Sequence, residues 1–170
     1  MSTYISIRQA AGETRLIPID GKPGQYLFTP QSTTIALKLE GTASGTAKVE
    51  LSADNFDSAN KQIQITYNIS RGIIKLGDKP SGYTSNNSRD FYIYSSSSST
   101  DEIGKFNQSW NNKNTTNSKS ISLKISADDY EKIINNNNLI YIKFTYYGTT
   151  YTTTANLQTL LNGTQVELDW

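Results

Sequence analysis

Cysteine and histidine are both absent from this 170-residue chain, and methionine occurs only at position 1. Without a thiol or an imidazole there is no disulfide framework, zinc finger, haem ligand, thiol nucleophile or Ser-His-Asp triad. No staple is needed, because a chain of this length buries roughly 70% of its unfolded surface. A dominant charge is missing too: 16 Lys and Arg stand against 15 Asp and Glu, for a net charge of +1. That balance leaves no electrostatic case for nucleic acid or an anionic membrane as partner. No apolar run approaches the roughly 18 residues that span a bilayer. The segment Met1-Ser2-Thr3-Tyr4-Ile5-Ser6-Ile7-Arg8 lacks a basic region followed by an apolar one. If Met1 is the native start, the expectation is a protein made in a cytoplasm without a classical export signal. A glycine-rich phosphate loop is also wanting, since Gly41-Thr42-Ala43-Ser44-Gly45 reads as a plain small-residue turn.

What is present is skewed toward strands and turns. Ser, Thr and Asn together make up roughly a third of the residues, above the usual share. Tyr (11) outnumbers Phe (5) and Trp (2) combined. An AT-rich genome explains part of the Asn, Lys, Ile and Tyr excess. Thr, Ile and Tyr also favour strands, while Asn and Ser favour turns.

Alternation of apolar and polar residues supports the same reading. Ile35, Leu37 and Leu39 alternate with Ala36 and Lys38, and Ala47, Val49, Leu51 and Ala53 with Lys48, Glu50 and Ser52. Ile63, Ile65, Tyr67 and Ile69 form another such face, as do Ile121, Leu123 and Ile125, and then Ile140, Ile142, Phe144 and Tyr146. Each run offers one face to a core and one to water, as antiparallel sheets require. Turn residues fall between them: Asp20-Gly21, Pro23-Gly24, Gly148 and Asn162-Gly163. Asn162-Gly163 predicts a two-residue hairpin between strands at 157–161 and 166–170. The expected class is all-β: an antiparallel β-sandwich, immunoglobulin-like as two tandem units over 1–80 and 81–170, or a single jelly-roll-like sandwich over 1–170. Residues 77–88 read as a linker, and residues 95–120 as a long Ser/Asn-rich loop with Trp110 set into it.

One pattern recurs. Val49-Glu50-Leu51-Ser52-Ala53-Asp54-Asn55-Phe56-Asp57 matches Leu123-Lys124-Ile125-Ser126-Ala127-Asp128-Asp129-Tyr130-Glu131 in character, and an alternating strand follows each. Both copies read as strand, polar corner, strand. Ser52 and Ser126 are placed to cap a short helical turn, Asp54 and Asp128 favour its N-terminus, and Phe56 and Tyr130 tuck back onto the core. A calcium site at these acids lacks the spacing of an oxygen-ligand loop, so structural capping is the preferred role. This unit resembles the E–F corner of immunoglobulin-like sandwiches over about twenty residues in each half, without the Cys…Trp…Cys pattern of true immunoglobulin domains.

Catalysis without histidine would need paired carboxylates, as in glycosidases, and the acids here are scattered over turns and polar strand faces. The reading is therefore of a non-enzymatic chain with no cofactor and no metal site. Sequons at Asn68, Asn86, Asn107, Asn114 and Asn162 match what chance places in so Asn-, Ser- and Thr-rich a sequence. Candidate contact residues for a glycan or protein are Trp110, Tyr83, Tyr92, Tyr94, Tyr141, Tyr147 and Tyr151, the alternative being aromatics that cover their strand neighbours. In type and composition the chain resembles accessory proteins of phage virions: capsid decoration, head-fibre or tail components. That resemblance implies assembly in a host cytoplasm and residence in a virion. The implied partners are other protein subunits, of the particle or of the same kind, docked through edges such as 149–155. A carbohydrate-binding or adhesion module is the other reading.

Overall fold

The longest alternating run becomes the strand around which the first sheet is built. A computed structural model describes the backbone of residues 5–9, 12–18, 25–27, 38–42, 48–57, 62–84, 87–110 and 118–170, with side chains from residue 66 onward in those ranges. In chain order the elements are β1 (Ile5–Gln9), β2 (Gly12–Pro18), β3 (Gln25–Leu27), β4 (Lys38–Thr42), β5 (Lys48–Asp57), β6 (Gln62–Lys75) and β7 (Arg89–Tyr94). There follow β8 (Glu102–Gln108), β9 (Lys119–Ser126), α1 (Ala127–Asn135), β10 (Leu139–Tyr146), β11 (Thr149–Asn156), α2 (Leu157–Leu161) and β12 (Val166–Glu167). Strands dominate and form two sheets, so the class is all-β. The expected turns at Asp20-Gly21 and Pro23-Gly24 lie outside the described residues.

The first sheet runs β1-β2-β3-β6-β5-β4, with β9 and β12 also paired to β6. β6 takes β3 at residues 62–64 and β9 at residues 66–74, both antiparallel, and β12 parallel at Ile74 and Lys75. Its partners thus come from both sides of residue 80, and the sheet is continuous across that position. The second sheet runs β11-β10-β7-β8. Inward residues of both sheets, among them Ile69, Ile121, Leu123 and Ile125 from the first and Phe91, Ile93, Ile142 and Phe144 from the second, form one apolar cluster. At Gly104 of β8 an added Cβ would stand 2.9 Å from the Ser122 carbonyl oxygen and 2.6 Å from Leu123 Cδ2. That closeness brings β8 against β9 and explains glycine there.

The recurring segment has a geometric counterpart. Val49 and Leu123 both pair with Ile69, Glu50 and Lys124 with Asn68, Leu51 and Ile125 with Tyr67, and Ser52 and Ser126 with Thr66. The two copies flank β6 in matched register. They then diverge, which corrects the expectation of two identical corners. Ser52, Asp54 and Phe56 lie within β5, where the ladder to β6 continues through Asp54↔Gln64 and on to Asp57↔Gln62 past a bulge. On the other edge of β6 the ladder ends at Thr66↔Ser126, because Gln64 is already paired to Gln25 of β3. With no ladder partner there, the backbone after Ser126 satisfies itself as a helix.

Three further expectations change. Residues 157–161 form α2 rather than a strand: Leu157, Leu160 and Leu161 share one buried face, and Asn156 accepts from Thr159 N at 3.1 Å as N-cap. Asn162-Gly163 ends that helix, with Gly163 at φ +78°, and does not close a hairpin. Helical i, i+3, i+4 leucines overrode the turn signal. After it, only Val166 and Glu167 are strand. The loop over 95–120 is also interrupted, since 102–108 is β8, with Ile103 and Phe106 buried. Its pairing shifts register between Ile93 and Tyr94, so the buried positions fall three apart and hide the period of two.

Candidate functional site

Solvent-facing residues of the second sheet bring several of the tyrosines together. Across the strands Tyr141 pairs with Tyr94, and Lys143 with Tyr92. Tyr92 pairs in turn with Lys105, and Asp90 with Asn107. Because side chains alternate, these residues share the face opposite the core. Tyr92, Tyr94 and Tyr141 are half-buried there. Lys105 Nζ stands 5.4 Å from the Tyr92 ring centre, and Lys143 Nζ 5.4 Å from that of Tyr94. Lys143 also donates to the Ser97 carbonyl at 2.8 Å. Asp90 accepts from Asn107 Nδ2 at 2.9 Å and sits 3.8 Å from Lys105 Nζ. The result is a polar face of rings, two cations and an acid, each holding its neighbour. Exposed contacts of this kind contribute at most about 1 kcal/mol apiece, so the face is organised without being rigid.

Trp110 is not part of it, contrary to the sequence reading. It is 1% exposed and donates from Nε1 to the Gly77 carbonyl at 2.8 Å. Trp170 does the same one residue earlier, to Leu76 O at 2.7 Å. The two indoles, with Phe91 and Phe144 between ring contacts of 4.8 to 6.1 Å, close one end of the core. Tyr83 belongs to the same cluster, 4% exposed, with its ring 4.8 Å from Trp110 and its hydroxyl donating to Asn87 O. Tyr151 points inward and stacks on Phe144 at 4.9 Å. These three expected contact residues are therefore packing residues. An indole needs both apolar cover and one acceptor, and the carbonyls leaving β6 supply the acceptor. Tyr147 is the opposite case, 88% exposed at the tip of the β10–β11 hairpin.

Ser126 is the N-cap of α1 and accepts from Asp129 N at 3.1 Å. Asp128 and Asp129 occupy the first helical turn, where the exposed amides favour them. Lys132 faces both at 3.3 and 3.8 Å, and Ser95 donates to Asp129 at 3.0 Å. Tyr130 stacks on Tyr67 at 4.1 Å and covers the core edge. Among the described residues no group of three or more acids is arranged to hold a metal ion. None of the described helices is long and apolar enough to cross a membrane.

One feature lay outside the sequence reading. An open groove of about 760 Å³ runs between β6, β8 and β9, lined by Asn68, Ser70, Arg71, Glu102, Lys105 and Lys124 among others. Arg71 has φ +63° within the bulge that separates Ile69↔Leu123 from Gly72↔Ile121. The second sheet supplies another candidate at its edge, where the sequence already suggested a docking strand at 149–155. Among the described residues β11 ends the strand order, and Thr149, Thr150, Thr152 and Thr154 are exposed along it. No charged residue and no proline occurs in its sequence, TTYTTTAN. No family model, curated protein or solved structure matches the chain.

Proposed function

We propose that the chain is a non-enzymatic β-sandwich interaction protein, immunoglobulin-like or jelly-roll-like in type, and an accessory component of a phage particle in capsid decoration, head-fibre or tail attachment. The observation that carries this reading is β11, a neutral eight-residue edge strand with none of the lysines, prolines or bulges that normally blunt an edge. Strand addition to such an edge gives affinity through main-chain hydrogen bonds. A neutral, thiol-free composition suits a component assembled in a reducing cytoplasm. The test is sedimentation of purified particles: the chain travels with capsid or tail proteins, and Thr152→Lys reduces its occupancy. A chain found only in the unassembled fraction sinks the proposal.

The outer face of the second sheet favours a second reading, a carbohydrate-binding or adhesion module, because Tyr92, Tyr94 and Tyr141 are adjacent there. Sugar stacking on Tyr92 and Tyr94 must displace or share the lysines already over those rings. On a glycan array this reading expects binding that Tyr94→Ala abolishes and Trp110→Phe leaves intact.

A further inference from the structure

The β10–β11 turn determines which backbone groups of β11 face outward. Tyr147 and Gly148 form its two-residue loop with φ of +45° and +78°, the signature of a type I′ turn. The closing pair Tyr146↔Thr149 is then hydrogen-bonded, and by alternation so are Phe144↔Tyr151, Ile142↔Thr153 and Ile140↔Ala155. Thr150, Thr152 and Thr154 consequently turn N–H and C=O away from β10. Among the described residues no backbone hydrogen bond reaches these outward groups. Asn156 lies in the same phase but is the N-cap of α2, its side chain accepting from Thr159 N, so the chain turns into the helix there. The usable edge is therefore a set of three residues symmetric about Thr152.

We infer that β11 pairs with β11 of a second copy of this chain, antiparallel about a two-fold axis at Thr152. The inference rests on reading β11 as the docking edge and names its occupant. In that register Thr152 faces Thr152 of the second copy, while Thr150 faces Thr154 and Thr154 faces Thr150. Each of these three pairs exchanges two bonds, about six in all. Self-complementarity is built into a strand with the same residue at all three outward positions. Charge does not oppose it: β11 carries none, and like charges opposite one another are what usually forbid a strand from meeting its own copy. The nearest cations on the outer face are the Lys143 side chains, next to Thr152 on β10. Across the axis they stand three strand spacings apart, about 14 Å, beyond the roughly 10 Å screening length at 0.1 M salt. The two four-stranded sheets become one of eight, and the exposed Tyr147 tip of each copy comes beside the start of α2 in the other.

The absence of cysteine makes the register directly testable. Residues facing across a hydrogen-bonded pair have Cα atoms about 5.5 Å apart, within disulfide range. Under mild oxidation Thr152→Cys is expected to form a covalent dimer of twice the 18.9 kDa chain mass. Thr150→Cys, whose copies lie four residues out of register, stays uncrosslinked, and Thr150→Cys with Thr154→Cys crosslinks again. By analytical ultracentrifugation the unmodified chain is dimeric at high micromolar concentration, and Thr152→Lys weakens the dimer by at least about tenfold. A monomer at those concentrations, or equal crosslinking at 150 and 152, overturns the inference. A monomer that still loses particle occupancy on Thr152→Lys overturns self-pairing and leaves the accessory reading standing. A dimer absent from particles does the reverse.

Discussion

Trp110 shows how much a single side chain depends on its surroundings. Its Nε1 has an acceptor in Gly77 O, and its rings contact Tyr83, Phe91, Phe144 and Trp170. Trp110→Ala is expected to destabilise the fold by about 3–5 kcal/mol, read as a lower denaturant midpoint, with no change at the outer tyrosine face. Trp110→Phe retains most of the apolar cover but strands the Gly77 carbonyl, and costs about 1–3 kcal/mol. Two glycines with similar backbone angles give a sharper contrast. Gly77 and Gly148 have φ of +70° and +78°. A Cβ at Gly77 would come 2.1 Å from Leu168 O, whereas at Gly148 nothing lies within 4 Å. Gly148→Ala should cost only the left-handed penalty of about 1–2 kcal/mol, and Gly77→Ala clearly more, since β12 must shift. Equal midpoints for the two variants would contradict this placement of the C-terminal segment. The sequence placed Phe144 on an inward face and Tyr130 against the core, but the packing roles of Trp110 and Tyr83 were not legible, because exposure depends on what packs over a ring and no local pattern encodes that.

At the level of elements, the same Ser-Ala-Asp letters lie in a strand at 52–54 and at the start of a helix at 126–128. The cap at Ser126 was readable, because a side-chain oxygen three residues before an amide is a local arrangement. What was not readable is that β3 occupies the place on β6 that would have let β9 continue. Ser126→Ala is expected to cost about 1 kcal/mol and to speed hydrogen exchange at the Asp129 amide. Ser52→Ala has no helix to uncap and should leave exchange along α1 unchanged. Slowed folding of both variants to the same degree would instead support two equivalent corners. β8 was lost to the sequence reading for a related reason, since its register shift breaks the alternation on which strands are recognised. α2 was missed because a five-residue helix between turn-forming residues offers little periodicity.

On the scale of the whole molecule, β6 joins segments far apart in the chain. β5, β3, β9 and β12 all pair with it, and Leu168 N donates to Lys75 O at 2.8 Å. Pieces 1–80 and 81–170 expressed separately should therefore each lose cooperative unfolding, and mixing them should restore it. Independent sharp transitions for the two pieces would argue against this dependence. The matched register of the recurring segment around Ile69, Asn68, Tyr67 and Thr66 is the molecular meaning of the repeat. Two like strands serve the two edges of one central strand.

Composition and alternation by themselves determined the all-β class, the absence of thiol and imidazole groups, the inward strand faces at 121–125 and 140–144 and the Ser126 cap, because each depends on residue identity or on spacing over a few positions. Only the tertiary structure decided that Trp110 and Tyr83 are core, that one Ser-Ala-Asp extends and the other coils, and that β11 pairs with β10 alone among the described strands. Those outcomes follow from competition for backbone partners and apolar cover between segments distant in sequence. A strand becomes an edge, or ends, according to which other strand has already taken its neighbour's hydrogen bonds.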